Sequence, residues 1–331
     1  MCIKYLYIIC IVPLQKSPFS FLASFFCGQE TCFLRLCLYL HETKFLLKMF
    51  FESKRYTINV KGRLLPLDVP VVMGILNVTP DSFYEGSRLM EQENLLDRAR
   101  RMLADGAAIL DIGACSTRPG GVPVDESGEL ERMHWALSLL DKEFPDAVVS
   151  IDTFRGNVAL ECAREHNVSI INDVSAFAWD DGMFDAVSQL GLPYVLTHSC
   201  GFAGEEPVYA DFLSQVLETL AGKMWQLRQN GVKDIVVDPG FGFGKSLEQN
   251  YSMLANLKEF SILDAPLLVG MSRKSMITKC IGCSPAEALH GTVALNMAAL
   301  INGAGILRVH DVKEAADTVK LFVAMNNETI Q

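Results

Sequence analysis

The first 48 residues are the most apolar part of this 331-residue chain, yet they hold no uninterrupted run of the roughly 18 apolar residues that a membrane-spanning helix needs. Lys16, Pro18, Gln29, Glu30 and Arg35 break the run, and no membrane partner is expected. Lys4 precedes an apolar stretch, but no small-residue cleavage site of a secretory leader follows it clearly. Net positive charge is missing too. The formal charge is -10, which argues against a nucleic-acid partner, since that needs a basic footprint. The 10 cysteines build no paired framework: Cys2, Cys10, Cys27, Cys32 and Cys37 crowd the start, and Cys115, Cys162, Cys200, Cys280 and Cys283 are scattered. A reduced, cytoplasmic setting is expected. Cys280 and Cys283 form a CxxC without a second pair or histidines at ligand spacing, so they read as two small residues on a helix rather than a zinc site.

A phosphate loop is also absent. GFGFGKS, from Gly240 to Ser246, has Pro239 where a Walker A loop needs its first glycine, and Lys245 where GxGxxG needs its third. Its glycines instead let the chain turn sharply.

What the chain does contain is one event repeated. In VVMGILNVTPDSF, Val71 to Phe83, six apolar residues read as a strand buried on both faces, and polarity flips at Asn77. Thr79, Pro80, Asp81 and Ser82 then favour a turn. Similar short runs recur at Ala108–Ile112, Val148–Ile151, Ser169–Ile171, Tyr194–Leu196, Ile235–Val237, Leu267–Val269 and Gly305–Leu307, each ending in polar or glycine-rich sequence. Helix-period segments such as Leu95–Leu103 and Phe212–Leu227 separate them. Eight strand-then-helix units predict a (β/α)8 TIM barrel, an α/β fold; the alternative, an open doubly wound sheet, usually carries fewer. The chemistry of such folds sits at the carboxyl ends of the strands, where Arg118, Lys245, Arg273, Lys274, Arg308 and His310 all fall. A local cationic cluster in an acidic chain suits an anionic substrate.

A barrel takes about 250 residues as one domain, so residues 49–331 are read as the catalytic domain and 1–48 as an extension. The extension is expected to be disordered or absent from the native product, with translation starting at Met49; a peptide containing Cys27 in the native protein would refute that. In YTINVKGRLLPL, Tyr56 to Leu67, two β-prone runs flank Lys61 and Gly62 and predict an N-terminal β-hairpin that closes the bottom of the barrel.

Several strand ends carry chemistry that can be read residue by residue. Asp152 and Asn172 are costly to bury unless each finds a partner. GMSRKSMI begins a helix at about Lys274, and the unpaired N–H groups of its first turn favour an anion. Arg308 and His310 lie two apart in RVHDV, on one face of an extended chain. Asp173 reads as a group that orients its neighbours or caps a helix, and His198, in THSCG, as a structural histidine.

Taken in order, GILNVTPDSF, DIGACSTRPG, SIDT, INDVS, DPGFGFGK, GMSRKS and RVHDV resemble the motifs of the dihydropteroate synthase family, from about Tyr56 to the carboxyl terminus. The resemblance implies a transferase that joins 6-hydroxymethyl-7,8-dihydropterin diphosphate to p-aminobenzoate. It implies that Asp152, Asn172 and Asp238 grip the pterin, with Lys274 near its carbonyl and Phe243 walling the pocket. Asp81, Phe83, Thr117, Arg118 and Pro119 would lie on two loops that order over the substrates, and Ser275 would bind the p-aminobenzoate carboxylate, with Ser272 and Arg273 in support. Arg308 and His310 would hold the diphosphate, with Asn77 on a bound Mg2+. Sulfonamide inhibition and a homodimer through carboxyl-side helices near Met297–Ile301 are expected as well. Ala114 and Cys115 stand where the family more often shows Gly and Glu, and THSCG departs from its usual Met and Gln around the histidine. A methyltetrahydrofolate methyltransferase-like barrel and a catalytically silent homologue are the alternatives. The first needs no diphosphate pocket, and a pyrophosphate-release assay separates the second.

Overall fold

The computed structural model describes residues 56–78, 88–115, 124–200 and 212–326. The 1–48 extension, Asp81, Phe83, Thr117, Arg118 and Pro119 lie outside these residues. The hairpin forms as β1 (Thr57–Val60) and β2 (Arg63–Pro66), antiparallel with Val60 opposite Arg63. Its two turn residues, Lys61 and Gly62, have φ of 52° and 83°, the pair of positive values that a right-twisted two-residue hairpin demands. Asn59 Oδ1 accepts a hydrogen bond from Gly62 N at 2.7 Å and helps hold Lys61 in that conformation.

The eight apolar runs become β3 (Val71–Asn77), β4 (Ala107–Gly113), β5 (Val149–Asp152), β6 (Val168–Asp173), β7 (Tyr194–Thr197), β8 (Ile235–Asp238), β9 (Leu268–Val269) and β10 (Ile306–Val309). Every neighbouring pair is parallel, in the order β8-β7-β6-β5-β4-β3-β10-β9. A parallel bridge between Val237 and Leu267 joins β8 to the segment leading into β9, so the sheet closes into a barrel. Closure excludes the open doubly wound alternative. The α-helices are α1 (Arg88–Ala104), α2 (Glu126–Glu143), α3 (Gly156–Glu165), α4 (Gly182–Leu190), α5 (Phe212–Gln229), α6 (Leu247–Ala255), α7 (Ser275–Ile281), α8 (Leu289–Ile301) and, after the last strand, α9 (Val312–Asn326). No helix among the described residues is long and apolar enough to cross a membrane.

Strand alternation divides the core in two. Outward residues such as Leu76, Leu110, Ile151, Ile171, Leu196 and Val237 pack against the helices. Inward residues at the amino-terminal strand ends, Met73, Ile109, Val148, Ile170, Val195, Val236, Leu268 and Ile306, form a second cluster with Ile58, Val60 and Leu67 of the hairpin segment. The hairpin is thus a plug, as expected from its sequence. Burying three aliphatic side chains at about 1.5–3 kcal/mol each holds it in place.

Candidate active site

Two residues further along, the interior face changes from apolar to polar on six of the eight strands, while β3 keeps Ile75 and β9 is followed by Gly270. This layer includes Asp111, Ser150, Asn172, Thr197, Asp238 and Arg308, all buried or nearly so. Arg308 organises it. Its Nε donates to Asp111 Oδ2 at 2.7 Å and its Nη2 donates to Asp152 Oδ2, while Asn172 Nδ2 donates to Asp111 Oδ2 at 3.0 Å. One network therefore ties β10 to β4, β5 and β6. Burial opposes the Arg308 charge, but Asp111 and Asp152 more than offset this and hold its pKa above the ordinary arginine value. Burial pushes Asp152 up to about 7, and Asp111 adds to the rise while Arg308 pulls against it. Asp111 Oδ1, Ser150 Oγ and Thr197 Oγ1 are buried with no hydrogen-bond partner among the described residues. A polar layer that does not satisfy itself suits a polar guest.

Asp238 and Lys274 form the adjoining wall. Asp238 Oδ1 accepts from Gly240 N at 2.8 Å, and Lys274 Nζ donates to Phe241 O at 2.6 Å while lying 4.5 Å from the centroid of the Phe243 ring. Burial lowers Lys274 to about 8 although Asp238 pulls the other way, and burial raises Asp238 against the pull of Lys274. Lys245 Nζ donates to His198 O at 2.9 Å, to Gly240 O at 2.7 Å and more weakly to Phe243 O at 3.4 Å. Its function is to gather loop carbonyls, a role that its place in GFGFGKS does not disclose. Ser246 caps α6 in a reciprocal pair with Gln249, accepting from Gln249 N at 3.2 Å while Gln249 Oε1 accepts from Ser246 N at 2.8 Å.

Gly240 is required here for two reasons. Its φ is +74°, and a Cβ at this position would lie 1.8 Å from His198 O. Gly240→Ala is expected to cost roughly 3 kcal/mol or more and to lower Tm by about 10 °C, read by thermal denaturation. A wild-type Tm would show that the loop runs elsewhere. His198 itself is buried and stays neutral. Burial, with Lys245 and Lys223 adding to it, brings its pKa down to about 3, and its Nδ1 has no hydrogen-bond partner among the described residues.

The rim carries the remaining groups. His310 is exposed, with Nδ1 3.1 Å from Ser272 Oγ, and its backbone N donates to the same oxygen at 3.2 Å. Ser275 is exposed at the first position of α7, one residue after Lys274. Arg273 supports this corner from behind. Its Nε and Nη2 each donate to the Asp311 carboxylate at 2.8 Å, and Nη1 donates to the carbonyls of Pro285 and Ala286 at 2.7 and 2.8 Å. Asn77 ends β3, and a Cβ on Gly113 would lie 3.2 Å from its Oδ1, so glycine keeps space beside that oxygen. Asn77, Asp152, Asn172, Asp238, Phe243, Lys274, Ser275, Arg308 and His310 thus all fall at the carboxyl ends of strands or in the loops just beyond them.

Two groups that sequence reasoning passed over are Asp111 and Glu129. An acid inside the apolar strand AAILDIG has to be paired, and that is the signal for Asp111. Glu129 is fully buried on α2, where it accepts from Thr153 Oγ1 at 2.7 Å and pairs with Arg155, steadying the segment just after Asp152. Asp173 is the local knot its sequence suggests. It accepts from Ser175 N and Oγ at 2.7 Å, from Phe177 N at 2.6 Å and from Tyr194 Oη at 2.7 Å. These bonds hold the left-handed Ala176 and Phe177.

Comparison with known proteins bears on the fold and the family. The pterin binding enzyme family matches residues 73–310. The dihydropteroate synthase of Escherichia coli strain K12 is 39% identical over 269 residues, 80% of this chain and 94% of that protein. Among solved structures, the Yersinia pestis dihydropteroate synthase in complex with a sulfonamide drug aligns at TM-score 0.75 and 37% identity, covering 82% of this chain and 98% of that one. The Xanthomonas albilineans enzyme with 4-aminobenzoic acid aligns at TM-score 0.75 and 36% identity, covering 83% and 99%. This chain belongs to the dihydropteroate synthase family of pterin-binding enzymes.

Proposed function

We propose that this enzyme condenses 6-hydroxymethyl-7,8-dihydropterin diphosphate with p-aminobenzoate, giving 7,8-dihydropteroate and pyrophosphate. The observation that carries this reading is the single polar layer in which Arg308, Asp111, Asp152 and Asn172 are bonded together beside Asp238 and Lys274. Carboxylates accept from the N–H groups of a pterin and the Asn172 amide can do both, so Asp152, Asn172 and Asp238 hold the heterocycle. Lys274 serves its carbonyl and ring nitrogen, and Phe243 forms the wall. Arg308, with His310 beside Ser272, takes the diphosphate.

Breaking the C–O bond sends its electron pair to the diphosphate, where Arg308 and His310 stabilise the new charge, and the dihydropterin spreads positive charge from its methylene. The amine of p-aminobenzoate then attacks that methylene and loses a proton. Ser275 receives its carboxylate, and Asp81, Phe83, Thr117, Arg118 and Pro119 belong to the loops assigned to cover both substrates. Among the described residues no side chain is set up as an activated nucleophile, so the course is dissociative rather than covalent.

Magnesium fits this site through one hard oxygen, Asn77 Oδ1, beside which Gly113 leaves room. When bound, the ion supplies further charge stabilisation to the diphosphate oxygens. The enzyme acts in a reducing cytoplasm, in keeping with five free cysteines among the described residues. It pairs as a homodimer through α8 and α9, where Ile301, Leu321 and Met325 are exposed.

Incubating the protein with both substrates, with and without Mg2+, tests the reading. Equal amounts of pyrophosphate and dihydropteroate are expected, formed faster with Mg2+ and not at all when either substrate is omitted. Tight pterin binding without pyrophosphate release would instead indicate a silent homologue.

A further inference from the structure

Outside the polar layer, α2 and the end of α3 bring together side chains that the proposed reaction does not use. His134 Nδ1 lies 2.9 Å from His166 Nε2 and 3.6 Å from Glu165 Oε2, and the three donor atoms all fall within 4.8 Å of one another. Behind them, Asp141 Oδ2 sits 2.9 Å from His166 Nδ1, and Asp141 Oδ1 accepts from Asn167 N at 3.2 Å.

We propose that His134, Glu165 and His166 form a site for a divalent transition metal of the zinc class, separate from the catalytic layer. Asp141, as a carboxylate, can only accept. It therefore places the proton of His166 on Nδ1 and turns Nε2 toward His134, the carboxylate–histidine–metal arrangement that orients a ligand imidazole. Two nitrogens and one carboxylate oxygen suit zinc rather than calcium or magnesium, which favour oxygen alone. Two nitrogens each about 2.0–2.1 Å from a tetrahedral ion stand about 3.3 Å apart, so the imidazoles need to open by only a few tenths of an ångström. The half-buried His134 can give that much. Glu165 is 64% exposed, which leaves the fourth position to water.

The site ties α2 to the carboxyl end of α3, with His166 two residues before β6 begins at Val168. Lys61 of the hairpin turn donates to His166 O at 3.1 Å, so the plug at the closed end of the barrel is fastened to the same corner. The consequence is structural: the metal raises stability and leaves turnover alone.

The test uses the full chain, stripped with a chelator and titrated with Zn2+ by calorimetry and with Co2+ by visible absorption. Saturable binding of one ion is expected. The Co2+ spectrum should show d–d bands without a thiolate charge-transfer band, and Zn2+ should raise Tm. His134→Asn and Glu165→Gln should each weaken binding by about tenfold or more, and Asp141→Asn by about tenfold, with kcat unchanged. Because Glu165 is exposed, its variant separates lost ligation from lost folding. Affinity unchanged in both ligand variants, no saturable binding by the wild type, or a thiolate band that places the ion on cysteine would each overturn the proposal.

Discussion

Arg308→Ala is expected to lower kcat/KM by about a thousandfold, the largest single loss in the enzyme, for two reasons that add. The departing diphosphate loses its forked cation, and Asp111 and Asp152 lose the partner that offsets their burial. Arg308→Lys should recover little, because an ammonium cannot reach both carboxylates and the diphosphate with a planar fork. Measurement of turnover beside p-aminobenzoate binding to a preformed pterin–pyrophosphate complex separates the contributions. Turnover should fall far more than that binding. Equal losses in the two would remove Arg308 from the leaving-group role.

Asp152→Asn should act earlier, on the pterin. Replacing a charged acceptor by an amide is expected to weaken pterin binding by about 10–100-fold, the span of one charge-assisted hydrogen bond at about 1.5–3 kcal/mol. The pH dependence gives a second check. Burial brings the Asp152 carboxyl up to about 7, and the proposed pterin grip needs its ionised form. Above this value wild-type affinity should be level; below it the ionised fraction, and with it the affinity, should fall by about tenfold per pH unit. Asparagine does not titrate, so the variant should bind weakly at all these pH values. Full pterin affinity in the variant, or a wild-type affinity indifferent to pH, would take Asp152 out of the pterin grip.

The barrel was legible in the sequence because each strand is buried on both faces and then ends in polar residues. The observed strands run slightly past the apolar stretches: Asn77, Asp152, Asp173 and Asp238 are themselves in the ladder. Hydrogen bonding between strands does not depend on side-chain polarity, so pairing continues where the side chains have already turned to chemistry. Asp111 was harder to see because Arg308 stands 197 residues away and the two meet only when the barrel closes. Arg273 shows the converse. Its place in GMSRKS suggested support for the p-aminobenzoate carboxylate site, and that support is indirect: its guanidinium is engaged by Asp311 and two carbonyls, so its contribution is to backbone shape. Side-chain identity reveals that a cation is present; only the tertiary structure reveals which acceptor claims it.

Ile58, Val60 and Leu67 make the barrel a well with a floor. A well open at one end fills from the bottom upward and empties in the reverse order. With the heterocycle seated at the depth of Asp111, as proposed above, it is expected to arrive before the amine, and dihydropteroate to leave amine end first. The affinity of any p-aminobenzoate mimic for this protein therefore depends on what already lies beneath it.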